Sequence, residues 1–216
     1  MHLPALFGRF VMILSLLFVG RFALADDGHG HEPVVTLTKP QPVATPGKIE
    51  VIEFFWYGCP ACNATEPAVE AWEKTLPKDV VFRREHVLWT GRSDMDGHAK
   101  LFNALSMLNL LPTHHRAVFD AIHRDKLELR DQDTLAKWVA QRGIDQRRFM
   151  AAYQAFDMNA RLDRARKFGK DYQLQSVPSF VVNGKYLTSP GAVGDPQKMF
   201  ALIDQLIARE RKLIKR

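Results

Sequence analysis

Two cysteines are the whole thiol content of this 216-residue chain, and only two residues separate them in Phe54-Phe55-Trp56-Tyr57-Gly58-Cys59-Pro60-Ala61-Cys62. The strand-forming run Val51 to Phe55 leads into the pair, and the helix-compatible stretch Pro60 to Leu76 follows it. Cys59 therefore falls where a strand hands over to a helix N-terminus. Unpaired backbone N–H groups there favour negative charge, and a thiolate is negative charge. A pair closing so short a ring removes little chain entropy, so it is a poor structural staple. A structural zinc site would need four ligands, and no second cysteine pair exists to supply them. The pattern points to a redox-active dithiol working by thiol–disulfide exchange.

The N-terminus reads as a targeting segment. Arg9 gives a positive start, Phe10 to Gly20 is apolar but short for a bilayer span, and Ala23-Leu24-Ala25 fits a cleavage site. Residues 1–25 are expected to be a cleaved signal peptide, although Arg21 is unusual so near the cut. Export implies an oxidising compartment where disulfides persist. Cleavage lowers the net charge from +6 to +4, since Arg9 and Arg21 leave with the signal. That surplus is modest. The basic cluster Arg209, Arg211, Lys212, Lys215 and Arg216 reads as cations complementing a helix C-terminus rather than as a nucleic-acid patch. Residues 26–33 read as a flexible tail whose His29 and His31 lack further ligands nearby.

Strands are expected at Val34 to Leu37, Lys48 to Phe55 and Asp79 to Leu88. From Asp94 the period changes. Leu101, Leu105 and Leu108, then Val118 and Ile122, then Leu135, Trp138 and Val139, then Phe149, Ala152 and Tyr153 mark successive helices, with another over Leu162 to Tyr172. Strand character returns at Ser179 to Val182, turns at Asn183-Gly184 and runs back over Lys185 to Thr188. Asp195-Pro196 caps and opens a last helix. Strands from both ends must share one sheet, which predicts an α/β domain (residues 34–91 with 174–216) interrupted by an all-helical domain (residues 92–173).

Glu53 is the only charged residue between Val51 and Tyr57. It is either a strand-end side chain reaching solvent or a buried acid that relays protons to Cys62. Cys59 is expected to be the nucleophile and Cys62, one helical turn on and more buried, the resolving thiol. Pro60 suits the first helical turn. Pro178 is either a plain trans turn residue or a cis proline.

The motif from Glu53 to Cys62, with Val177-Pro178-Ser179 and Val182-Asn183-Gly184-Lys185-Tyr186 downstream, resembles the DsbA family of periplasmic thiol:disulfide interchange proteins. The resemblance implies a thioredoxin-like fold with an inserted helical domain. It also implies oxidation of exported proteins, and reoxidation by a DsbB-like quinone-linked membrane oxidoreductase. By position it makes Cys59 the attacking cysteine, Cys62 the resolving one, Pro178 the cis-proline and Glu53 the buried acid. Val177, Pro178, Trp56 and Tyr57 are expected to meet substrate. Glu66 and Arg84 are expected as a further charged pair, with arginine where the family usually has lysine. Ala61 departs from the histidine of the strongly oxidising members. The dithiol itself serves as the redox group, with no added cofactor and no metal, and the protein is expected to act as a monomer. A reductase or isomerase on the same fold and a thiol-based metal carrier are the alternatives.

Overall fold

The computed structural model describes residues 32–214. The expected signal peptide, and the greater part of the expected tail with His29 and His31, lie outside them. The strands are β1 (Val35–Thr36), β2 (Ile49–Phe55), β3 (Val80–His86), β4 (Ser179–Val182) and β5 (Tyr186–Thr188). They form one sheet in the order β1-β5-β4-β2-β3. β2 runs parallel to β3 and antiparallel to β4, so the two ends of the chain meet at β2. All of β2 is buried, as expected of a mostly apolar strand covered on both faces, and its two glutamates, Glu50 and Glu53, are buried with it.

Helix α1 (Pro60–Glu73) follows β2 directly. Five helices separate β3 from β4: α2 (Asp96–Met107), α3 (Leu111–His123), α4 (Gln132–Gln141), α5 (Gln146–Tyr153) and α6 (Met158–Asp171). Acidic side chains cap two of these helices. Asp131 accepts from Thr134 N at 2.8 Å and Asp145 from Arg148 N at 2.9 Å. After β5 come the short α7 (Pro190–Val193), which the sequence reading passed over, and α8 (Pro196–Ile214). Asp195 accepts from Lys198 N at 2.8 Å at the start of α8.

The β4–β5 turn requires its glycine. Asn183 and Gly184 both have positive φ, 50° and 64°, the conformation of a tight hairpin. A Cβ on Gly184 would also lie 2.0 Å from the Gln41 carbonyl oxygen.

Three apolar clusters flank the sheet. One sets Ile49, Val51, Phe180 and Val182 against α1 and α8. A second sets Ile52, Phe54 and Val181 against α2 and α6. The third joins Phe55, Tyr57, Cys59 and Cys62 to Leu101, Phe102, Leu105, Phe119 and Trp138 of the helices between β3 and β4. The dithiol thus lies between the sheet and that helical block.

Candidate active site

Cys59 is the N-cap of α1. Its backbone is extended and its sulfur accepts from the Cys62 N–H at 3.3 Å. Pro60 takes the first helical position, where its missing N–H leaves no bond unmade. Both cysteines are free thiols here. Cys59 keeps 8 % of its surface exposed and Cys62 none. That difference in burial, along one helical turn, makes two unlike sulfurs. The hydrogen bond from the Cys62 side chain, aided by the backbone N–H groups of Cys62 and Ala61, lowers the Cys59 pKa to about 6 against the opposing effect of burial. Burial, the bond to Cys59 and the nearby Cys59 and Glu53 charges push the Cys62 thiol well up.

The Val177–Pro178 peptide is cis, and the Val177 carbonyl lies 3.5 Å from Cys59 Sγ, close enough to accept from the thiol. Val177 is half-buried and Pro178 buried. Trp56, also half-buried, donates its indole N–H to His98 Nδ1 at 3.1 Å, with the Arg92 guanidinium 5.2 Å from its ring centre. Val177 and Trp56 therefore border Cys59 with accessible surface. Tyr57 does not. Its side chain is fully buried among Phe55, Phe119 and His115, so the expectation that it meets substrate is corrected. Both residues lie just past the end of β2, where Tyr57 packs inside the third cluster and Trp56 stays at its margin.

Beneath the dithiol lies a charged cluster. Register places Glu53 of β2 beside Arg84 of β3, and Arg84 Nε stands 3.3 Å from the Glu53 carboxylate. Glu53 is fully buried, which rules out the strand-end side chain reaching solvent. Neither of its oxygens accepts a hydrogen bond from the described residues. Burial first, then the Glu66 charge, raise its pKa to about 8 despite Arg84. The same guanidinium bonds Glu66 at 2.9 Å and Glu73 at 3.0 Å. Burial alone would raise Glu66, but His115 and Arg84 hold it below the usual carboxylate range.

Sequence reasoning assigned no role to three histidines here. His115 Nδ1 lies 2.8 Å from the Tyr57 hydroxyl, and its Nε2 lies 3.6 Å from Glu66. His123 Nε2 lies 2.8 Å from the Tyr57 carbonyl oxygen, and His98 holds Trp56. A signal did exist. His115 shares a helical face with the apolar Val118, Phe119 and Ile122, which marks it as inward-facing. A further buried acid, Glu50, pairs with Arg83 at 2.9 Å away from the thiols. Among the described residues no group of three or more His, Cys, Asp or Glu is arranged to hold a metal ion.

A thiolate-stabilised cysteine at a helix start, a buried partner thiol and a neighbouring cis-proline loop on a thioredoxin-type sheet define a thiol:disulfide oxidoreductase. The sequence matches the family model described as a DSBA-like thioredoxin domain over residues 50–203. This chain belongs to that family, the DsbA family. It is 38% identical over 206 residues to the thiol:disulfide interchange protein DsbA of Pseudomonas aeruginosa, covering 95% of this chain and 96% of that one. It is 39% identical over 210 residues to the DsbA of Azotobacter vinelandii, covering 93% and 97%. The crystal structure of Pseudomonas aeruginosa DsbA superposes with a TM-score of 0.80, covering 89% of this chain and 99% of that one at 38% identity. NmDsbA1 of Neisseria meningitidis, 29% identical, gives 0.74 over 86% and 95%.

Proposed function

We propose that this protein is a dithiol oxidase that introduces disulfide bonds into exported proteins, with Cys59 and Cys62 as its redox pair. The observation that carries this is the asymmetry of the pair: an N-capping Cys59 held near a pKa of about 6 beside a sealed, high-pKa Cys62. In the oxidised enzyme a client thiolate attacks Cys59 Sγ. The Cys59–Cys62 bond breaks and Cys62 departs with the electron pair. Cys62 needs a proton, and the role of supplying it falls to Glu53, a reading supported by its raised pKa of about 8 and by the effect of its charge on Cys62. The client's second thiolate then attacks the client sulfur of the mixed disulfide, and Cys59 leaves as a stable thiolate. Two electrons pass from client to enzyme, and the client gains one disulfide. A DsbB-like membrane oxidoreductase then takes the electrons.

The half-buried Trp56 and Val177 support a client strand lying across Cys59, with Pro178 beneath it. Glu66 and Arg84 support Glu53 electrostatically. The division into residues 34–91 with 174–216 and residues 92–173 is supported by the run of α2–α6 between β3 and β4. Family membership and the leader-like residues 1–25 support a periplasmic location. Ala61 is exposed and brings no imidazole to Cys59, which favours a milder oxidant than the histidine-bearing members.

The test is to mix the oxidised protein with an excess of a reduced two-cysteine peptide. Oxidation of one peptide per enzyme is expected. Cys62→Ser, which cannot form the disulfide, should leave the peptide reduced; offered the peptide's disulfide form instead, its Cys59 thiolate should accumulate a mixed disulfide as the peptide's other sulfur departs as a thiolate. With the wild type, a peptide that stays reduced at equilibrium would make the protein a reductase instead.

A further inference from the structure

Glu53 and Glu66 are both buried and share Arg84, whose third carboxylate partner, Glu73, reaches solvent. In so dry a place one guanidinium favours one ionised buried carboxylate and one protonated one. Which of the two keeps the proton depends on their remaining contacts. Among the described residues none donates a hydrogen bond to Glu53. Glu66 accepts from Arg84 Nη2 and faces His115 Nε2 at 3.6 Å, just beyond hydrogen-bond length.

The groups around His115 are Glu66 and Glu70 of α1, Arg84 and His86 of β3, and Tyr57 of the β2–α1 turn. Burial keeps the His115 ring neutral, so one nitrogen donates and the other accepts. Hydroxyl donation from Tyr57 to Nδ1 puts the imidazole proton on Nε2, aimed at Glu66. The opposite tautomer would set a lone pair against the Glu66 carboxylate.

We propose that His115 is a positioning residue which, oriented by Tyr57, keeps Glu66 ionised and so leaves the shared proton on Glu53, the carboxyl that acts on Cys62. This rests on reading Glu53 as the acid of the exchange. Without the His115 donor, Glu66 competes for the proton and Glu53 ionises against Arg84.

The test uses the full chain and two readouts: the infrared band of the protonated carboxyl, and the pH dependence of exchange with a thiol peptide. In the wild type the band should vanish on Glu53→Gln. In His115→Leu it should instead vanish on Glu66→Gln, and the apparent pKa of exchange should fall by about one unit, a tenfold loss of proton affinity at Glu53. His115→Gln, which keeps an N–H near the Nε2 position, should restore the wild-type behaviour. Tyr57→Phe, nearly isosteric, should move both readouts part of the way and decides the matter if His115→Leu does not fold. A band still assigned to Glu53, with an unmoved pH profile, in His115→Leu or in Tyr57→Phe overturns the proposal. A pH profile unmoved by Glu53→Gln instead overturns the reading of Glu53 as the acid, and the infrared assignment still decides the role of His115.

Discussion

The indole of Trp56 occupies the space where a side chain on Gly58 would begin: a Cβ there would lie 2.3 Å from Trp56 Cζ2. Glycine at this position thus lets Trp56 fold back beside Cys59 and reach His98. Gly58→Ala should drive the indole outward and break its bond to His98, at an overpacking cost of about 1–3 kcal/mol. A red shift in tryptophan emission together with slower oxidation of peptide clients is expected. Unchanged emission and unchanged rates would mean that the ring tolerates the methyl group and does not shape the client surface.

The two thiols should titrate far apart. Thiolate absorbance of the reduced protein is expected to rise with a midpoint near pH 6, from Cys59 alone. Iodoacetamide near that midpoint should modify Cys59 and leave Cys62 intact, because Cys62 is sealed and its pKa is raised. Mass spectrometry of the labelled peptides checks this, and equal labelling would reverse the assignment of attacking and resolving thiols.

Glu53 should lower stability as the medium becomes alkaline. Its folded pKa is about 8 against an ordinary 4.5, so between those values the folded chain keeps a proton that the unfolded chain has released. Stability from this group therefore falls as pH rises through that window and levels off above it. Glu53→Gln has no proton to lose. The oxidised variant should match the oxidised wild type in acid and exceed it by a few kcal/mol near pH 8. Denaturant midpoints measured across pH provide the check, with parallel curves for the two proteins as the failing result. Its exchange rate should fall, since the acid serving Cys62 is gone, by as much as ~10²-fold.

Ala61→His should make the protein more oxidising. Position 61 is exposed on the first turn of α1, next to a sulfur already favoured as thiolate. An imidazole there can donate to the thiolate but finds no charge to stabilise in the disulfide. Each pKa unit removed from Cys59 below ambient pH should raise the potential by roughly 30 mV. A glutathione redox titration measures it, and an equal or lower potential would show that the backbone donors already supply all the stabilisation available.

The sequence carried the parts of this site that depend on local order. Cys59 at a strand-to-helix junction, Pro60 in the first turn, the Asn183-Gly184 hairpin and the helix opening at Pro196 all follow from residues close together in the chain. Glu53 stood out as the only charged residue between Val51 and Tyr57, and a buried acid calls for a partner, but Arg84 followed only from family resemblance. Register decides that pairing, and register is a property of the assembled sheet. Trp56 and Tyr57 are adjacent aromatics just past β2 and look alike in sequence; only the packing of His115 and Phe119 from α3 shows that Tyr57 is the enclosed one. His115 stands beside His114 in a helix, and adjacent histidines form no recognisable motif. The two point apart, and that same divergence sends His115 into the core while His114 stays near Thr113 at the surface. Helix α7, four residues long, is too short to show a period.

The third apolar cluster has a consequence for the order of chemical events. Leu101, Phe102, Leu105, Phe119 and Trp138 stand far from the cysteine motif in sequence, yet they belong to the same buried cluster as Cys62. They act as insulation on one conductor of a pair. The insulated sulfur holds its proton and the bare one sheds it, so attack and departure have assigned ends. Strip that cover away, and water would bring the Cys62 pKa down toward that of an ordinary thiol, leaving only the hydrogen-bond donors around Cys59 to tell the two sulfurs apart. The polarity of the reaction is thus set jointly, by the start of α1 and by helices that contribute no thiol to it.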